Sequence, residues 1–158
     1  MKTSEKFLLF SLFSISLLTV WSCKKDNETP SGVQQGPVKM RAVVDGQNWS
    51  AGVVSADTIG GRLSLVGVAG DGSTISLVVS GFSEGEYTSY PAASTVGTWQ
   101  AEAGAPVYAS NQPSGSGLIV IDELKDTIVS GTFFFTGLDG PGGDSISVRN
   151  GIFTEVRY

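Results

Sequence analysis

Apolar and polar residues alternate along most of the chain after residue 37, which is the pattern of β-strands that bury one face. In residues 74–80 (TISLVVS), Ile75, Leu77 and Val79 fall on one face, and small polar side chains fall on the other. Residues 38–44 and 127–137 alternate in the same way, and no segment shows a sustained 3.6-residue period. The pattern therefore predicts antiparallel strands packed on one core.

Turn-forming residues separate these segments at spacings near ten residues. Asp45-Gly46 predicts a tight hairpin turn because both residues tolerate positive φ, and Asn150-Gly151 predicts a β-bulge. Residues 47–56 are expected to form one strand, and residues 81–116 are less regular. Some nine strands predict an all-β fold, an antiparallel β-sandwich of about 8–9 strands, with a small closed β-barrel as the alternative.

The first 22 residues have the composition of an export signal. Lys2 and Lys6 give a positive start, and Phe7 to Val20 is an apolar run of about 14 residues, whereas a helix needs about 20 residues to cross a bilayer. The small residue Ser22 follows the run and stands immediately before Cys23. We therefore predict a cleaved signal peptide over residues 1–22.

The Val20-Trp21-Ser22-Cys23 stretch resembles a bacterial lipoprotein lipobox, although Trp21 stands where a small or aliphatic residue is usual. The resemblance implies that the thiol of Cys23 receives diacylglycerol, that cleavage makes Cys23 the N-terminus, and that its amine is acylated, for example with palmitate. Two or more acyl chains give durable membrane attachment, which one chain does not. The lipid anchor at Cys23 is the predicted contact with the membrane.

The residues after the cysteine, Lys24-Lys25-Asp26-Asn27-Glu28, resemble the surface-export signals of Bacteroidota lipoproteins. This resemblance implies a lipid-anchored outer-membrane protein at the cell surface, with the periplasmic face of that membrane as the alternative. Residues 26–37 (DNETPSGVQQGP) contain two prolines and two glycines and no apolar period. The sequence thus predicts a lipidated cysteine and flexible tether over residues 23–37 and one β-domain over residues 38–158.

The charge and composition of the chain exclude several classes of function. The net charge is −5 and charged residues are 16% of the chain, so nucleic acid, which requires a basic face, is not an expected partner. The chain has no histidine and one cysteine, which excludes Ser-His-Asp and Cys-His catalysis and His-ligated zinc. We therefore predict no enzymatic activity, no cofactor and no metal site.

Carboxylates leave one enzymatic alternative, a carboxylate-dependent hydrolase. Glu84 and Glu86 flank Gly85, and Asp122, Glu123 and Asp126 lie close together in sequence. Glycoside hydrolysis requires two carboxyl groups that face each other across a cleft. Neighbours in one turn rarely do so, which makes this the least favoured of the alternatives.

Aromatic residues offer the remaining indication of a binding site. Trp49 is expected in the core, as are Phe133, Phe134 and Phe135 on the two sides of their strand. The residues Trp99, Tyr90 and Tyr108 fall in the irregular middle, beside Gly, Pro and Gln. Exposed rings flanked by amides and carboxylates can stack on sugars, so these three are candidate ligand-binding residues. The alternative is that they pack loops onto the sheet.

The segments MRAVVDGQNWSA, GEYT, GSGLIVIDEL and ISVRNGIFTEVRY, with VSGTFFFTG before the last, resemble a family of Bacteroidota lipoproteins of unknown function. The resemblance implies an all-β fold and an envelope location, and it brings no catalytic residues. The expected function is a non-enzymatic binding or interaction module for a glycan or an envelope protein. The alternative is a structural accessory of a periplasmic or outer-membrane protein complex.

Overall fold

Strands account for most of the described residues, as the alternation of apolar and polar residues predicts, and they number eleven rather than the eight or nine expected. The computed structural model describes residues 37–89 and 94–158, so the predicted signal peptide, Cys23 and nearly all of the tether lie outside the described residues. Within these two ranges there is no helix, and hence none long and apolar enough to cross a membrane. The strands are β1 (Met40–Val44), β2 (Gln47–Ser50), β3 (Val53–Ile59), β4 (Arg62–Val68), β5 (Thr74–Val79), β6 (Gly85–Thr88), β7 (Val96–Gln100), β8 (Val107–Ala109), β9 (Ser116–Lys125), β10 (Ile128–Leu138) and β11 (Ser145–Arg157).

All of the strand pairs are antiparallel, and nine strands follow one path in the order β2-β1-β11-β10-β8-β7-β5-β4-β3. One edge of β10 is shared between two partners. Residues 128–136 pair with β9, which in turn pairs with β6, whereas Leu138 pairs with Ala109 of β8. This sharing lets the sheet curl into a half-barrel. The predicted all-β antiparallel fold class is confirmed.

The two ends of this nine-strand path meet at a sharp corner. β2 and β3 are its terminal strands, yet Ala51 and Gly52 alone separate them in sequence. The amide of Ala51 donates to the carbonyl of Met40 (2.9 Å), and the amide of Gly52 donates to the carbonyl of Val68 (2.8 Å). The chain therefore leaves β1 and joins β4 at this corner, and the prediction of a single strand over residues 47–56 is wrong.

The turn and bulge that the sequence predicts are both present. Asp45 and Gly46 have φ of 45° and 82° between the paired residues Val44 and Gln47. Asn150 has φ of 51°, and the register of β11 against β1 shifts there. These backbone angles lie in the left-handed region, which Asn, Asp and Gly enter at less cost than other residues.

The core lies inside the curl, and Trp49 belongs to it with 7% of its surface exposed, as predicted. Phe133 and Phe135 are buried, but Phe134 is 50% exposed, so the prediction that it is a core residue is wrong. Its neighbours in β10 point inward, and strict alternation turns Phe134 to the outer face. The fully buried large side chains are Phe135, Phe153, Met40, Leu63, Leu65, Ile75, Leu77, Ile121, Val79, Val129, Val148 and Val156.

Gly131 in β10 marks the tightest approach within this core. A β-carbon there would lie far inside contact distance of the Val120 carbonyl oxygen and 2.5 Å from Cζ of Phe153. The carbonyl belongs to the neighbouring strand β9, so it cannot move aside as a flexible side chain could. Glycine is therefore required at this position by packing.

Gly131→Ala is expected to lower the free energy of unfolding by about 2–3 kcal/mol, because overpacking forces the strands apart. Urea denaturation of the variant and of the unchanged protein measures the difference. Gly70→Ala is the matched control, since nothing lies within 4 Å of a β-carbon at that position. Equal stability of Gly131→Ala and Gly70→Ala would contradict the packing described here.

Candidate functional site

Three hairpin loops border a cleft at one end of the half-barrel. They are residues 45–46 between β1 and β2, residues 69–73 between β4 and β5, and the loop that begins at residue 101 after β7. The cleft has a volume of about 320 Å³, at the lower end of the range for small-molecule sites. Its lining combines two tryptophans with carboxylates and amides: Val44, Asp45, Gln47, Asn48, Trp49, Asp71, Ser73, Trp99, Ala101 and Ile146.

A chain of hydrogen bonds fixes one wall of this cleft. The indole Nε1–H of buried Trp49 donates to Oγ of Ser73 (2.8 Å). The hydroxyl of Ser73 in turn donates to Oδ1 of Asp71 (2.6 Å), which also accepts from the Ser73 amide (2.9 Å). Ser73 is 4% exposed, so this one residue satisfies a core donor and positions an exposed carboxylate.

The charge of Asp71 is stabilised by these bonds. The hydrogen bond from the Ser73 side chain, followed by that from the Ser73 amide, lowers the pKa of Asp71 below its ordinary value, because both bonds favour the carboxylate. The side chain is solvent-exposed at the rim of the cleft. The carboxyl group of Asp71 therefore gives up its proton more readily than that of an aspartate without these bonds.

Trp99 lies in β7, opposite Ile75 of β5 and Tyr108 of β8. Its ring and that of Tyr108 are 5.8 Å apart between centroids and tilted by 54°, and both side chains are half-buried against the core. Trp99 lines the cleft, whereas Tyr108 supports Trp99 without being part of the lining. Among the described residues, Nε1 of Trp99 is a buried side-chain donor that lacks a hydrogen-bond partner.

The structure thus brings two of the three candidate residues, Trp99 and Tyr108, into contact. Tyr90 lies outside the described residues. Neither ring is the fully exposed platform that stacking on a sugar was expected to use. The sequence reasoning missed Asp71, Ser73, Gln47 and Asn48, and the Asp-Gly turn beside residues 47–48 was the one signal for polar groups at this end.

Two of the five carboxylates that supported a hydrolase alternative have structural contacts. Oε1 of Glu84 accepts a hydrogen bond from the amide of Leu124 (3.1 Å), and Glu123 pairs with Lys125 (2.5 Å). Lys125 gains a raised pKa chiefly from its hydrogen bond to Glu123. In the described part of the chain, no three His, Cys, Asp or Glu side chains group as a metal site would require.

A protein-family model, a domain of unknown function (DUF6252), matches residues 37–157 of the chain. The chain belongs to this family. No curated protein and no solved structure matches the chain. The DUF6252 match spans all eleven strands and the whole lining of the cleft, so the half-barrel and its cleft lie within the family's domain.

Ser73→Ala is expected to lower the free energy of unfolding by about 1–3 kcal/mol, because it leaves the indole N–H of Trp49 buried without an acceptor. Thermal and urea denaturation measure this loss. In a double-mutant cycle with Trp49→Phe, the two changes should be strongly non-additive, since removing the donor removes the cost of losing its acceptor. Additive effects would show that the two groups do not interact.

Proposed function

We propose that this DUF6252 protein is a lipid-anchored, non-enzymatic binding module of the Bacteroidota cell envelope, and that a glycan binds in its cleft. The observation that supports the proposal is the composition of the cleft. Trp99 and the edge of Trp49 stand beside Asn48, Gln47 and Asp71 in one concave site. Apolar ring faces next to hydrogen-bonding groups match a sugar, which has apolar faces and hydroxyl edges.

The residues that line the cleft fall into two groups, exposed amides that can contact a ligand and side chains that are held in place by the core. Gln47 and Asn48 are exposed, so their amides are free to meet sugar hydroxyls, and each amide offers both donors and an acceptor. Trp49 and Ser73 are held by the core and do not have to be ordered when a ligand enters. A cleft whose wall is already ordered loses little conformational entropy on binding.

Blocking the cleft tests this proposal without disturbing the core. Ala101 is exposed and lines the cleft, and Ala103 is exposed on the same loop but does not line it. Ala101→Trp should abolish retention on the glycans that the unchanged protein binds in a glycan array, whereas Ala103→Trp should bind normally. Both variants should keep their stability within about 0.5 kcal/mol, as is usual for surface changes.

Retention of glycans by Ala101→Trp at the level of Ala103→Trp would place the binding site elsewhere on the molecule. An array on which the unchanged protein binds no glycan would overturn the glycan part of the proposal.

The anchor is tested at Cys23. Cys23→Ser should lose all labelling by radioactive palmitate and should leave an uncleaved precursor, because the thiol is the attachment point that processing requires. Ser22→Ala, which keeps a small residue before the cysteine, should still be labelled and cleaved. Labelling of Cys23→Ser would contradict the anchor.

Proteolysis of the labelled protein in intact cells then separates the cell-surface location from the periplasmic one.

A structural accessory role is the second candidate, and the outer face of β3 and β4 favours it. Val53 and Val68 are cross-strand neighbours with 68% and 37% of their surfaces exposed, and Ile59 is 73% exposed. Large exposed β-branched residues on a terminal strand are suited to contact with another protein. Crosslinking to an envelope protein through this face would favour the accessory role, and glycan binding that Ala101→Trp abolishes would favour the cleft.

A further inference from the structure

The charges of the cleft make its preference among glycans more specific. The described residues that line it include two carboxylates, Asp45 and Asp71, and no lysine or arginine. Trp99, which is the less buried of the two tryptophans in the lining, also favours a cation, because the face of an aromatic ring carries negative electrostatic potential. Both features favour a ligand with positive charge and disfavour an acidic one.

Each of these carboxylates has one oxygen left for a ligand. Oδ1 of Asp45 accepts from the amide of Ser147 (2.8 Å), and Oδ1 of Asp71 accepts both bonds from Ser73. Within the described ranges, Oδ2 of neither residue has a hydrogen-bond partner among the protein groups. A carboxylate that is held through one oxygen and open at the other is already oriented for a charge-assisted hydrogen bond.

Asp71 is the stronger partner of the two. Asp45 also lines a separate groove, which it shares with Arg149, whose Nε donates to Oγ of Ser147. Asp71 lines the cleft and is joined to Trp49 through the hydroxyl of Ser73, so its carboxylate is held close to an indole. Asp71 is therefore the carboxylate that we expect a ligand to meet beside the indoles.

We propose that the cleft binds a glycan with a free, protonated amino group, in which Asp71 pairs with the ammonium and Trp99 contacts the apolar face of the amino-sugar ring. This inference rests on the proposed glycan-binding function and names the substrate class. N-acetylation removes the positive charge and adds bulk at the same atom. Free-amine sugars should therefore bind more tightly than their acetylated forms.

The test compares three oligosaccharides of equal length and linkage: a chito-oligosaccharide with free amines, its N-acetylated form, and the neutral cello-oligosaccharide. Titration calorimetry uses the full chain, lipidated and held in neutral detergent micelles, at low salt, because screening weakens exposed charge pairs. The free-amine ligand should bind about fivefold to tenfold more tightly than either of the others.

Two single substitutions make the test specific to Asp71. Asp71→Asn keeps an oxygen that can accept from Ser73 and removes the charge, so it should weaken free-amine binding about twofold to fivefold and weaken binding of the acetylated ligand by a smaller factor. Asp139→Asn makes the same change in net charge on the loop before β11, outside the lining, and should leave both affinities unchanged.

The outcomes separate this inference from the function on which it rests. The three ligands could bind with equal affinity, and Ala101→Trp but not Asp71→Asn could abolish that binding. This result would overturn the amine preference and would leave glycan binding in the cleft intact. Equal losses in Asp71→Asn and Asp139→Asn would mean attraction by net charge alone, and would overturn the site. If oligolysine binds as tightly as the amino sugar, the cleft recognises the amine and not the sugar ring, and the proposal is overturned. No binding of any of these glycans would count against both.

Discussion

The two-residue link between β2 and β3 constrains the whole molecule. These strands are at opposite ends of a nine-strand path, so Ala51 and Gly52 can join them only if the sheet curls until its ends meet. The hydrogen bonds from these two amides to Met40 and Val68 fix the corner from both sides. The corner packs closely against β4, where a β-carbon on Gly67 would lie 2.6 Å from Sδ of Met40 and 2.9 Å from the ring of Trp49.

The curl also explains why the polar rim of the cleft and the core are coupled in this fold. Trp49 lies next to the corner and reaches across the curl to Ser73, which belongs to a loop 24 residues later in the chain. That bond ties the first hairpin to the loop between β4 and β5, on which Asp71 lies. A core side chain therefore links two of the loops at this end of the half-barrel, and the polar groups of the rim are attached to an ordered frame.

The sequence predicts the most regular strands because period-two alternation is a local property of the chain. Residues 74–80 and 127–137 form strands for the reason that their patterns predict. Phe134 was misassigned because three successive phenylalanines hide the alternation, which the buried neighbours Phe133 and Phe135 restore. The break between β2 and β3 was missed because Ala51 and Gly52 read as ordinary strand residues until their partners on two different strands are known.

The cleft could be predicted from sequence only in part, because it is assembled from segments far apart in the chain. Trp99 was identified by its chemistry, and its pairing with Tyr108 follows from the adjacent strands β7 and β8. Asp71 carried no local signal beyond its place in a glycine-rich turn. Its function as an oriented carboxylate arises from Ser73, whose hydroxyl is itself oriented by Trp49.

The same chain of bonds bears on the binding that we propose for the cleft. An aromatic wall alone would accept many apolar ligands, and an exposed carboxylate alone would be well solvated and weakly selective. Here the carboxylate is fixed beside the indoles by a donor that the core requires, so the charge and the apolar surface keep a constant separation. Recognition of a charged group and a ring face on one ligand depends on that constant separation, and the half-barrel provides it through its own folding contacts.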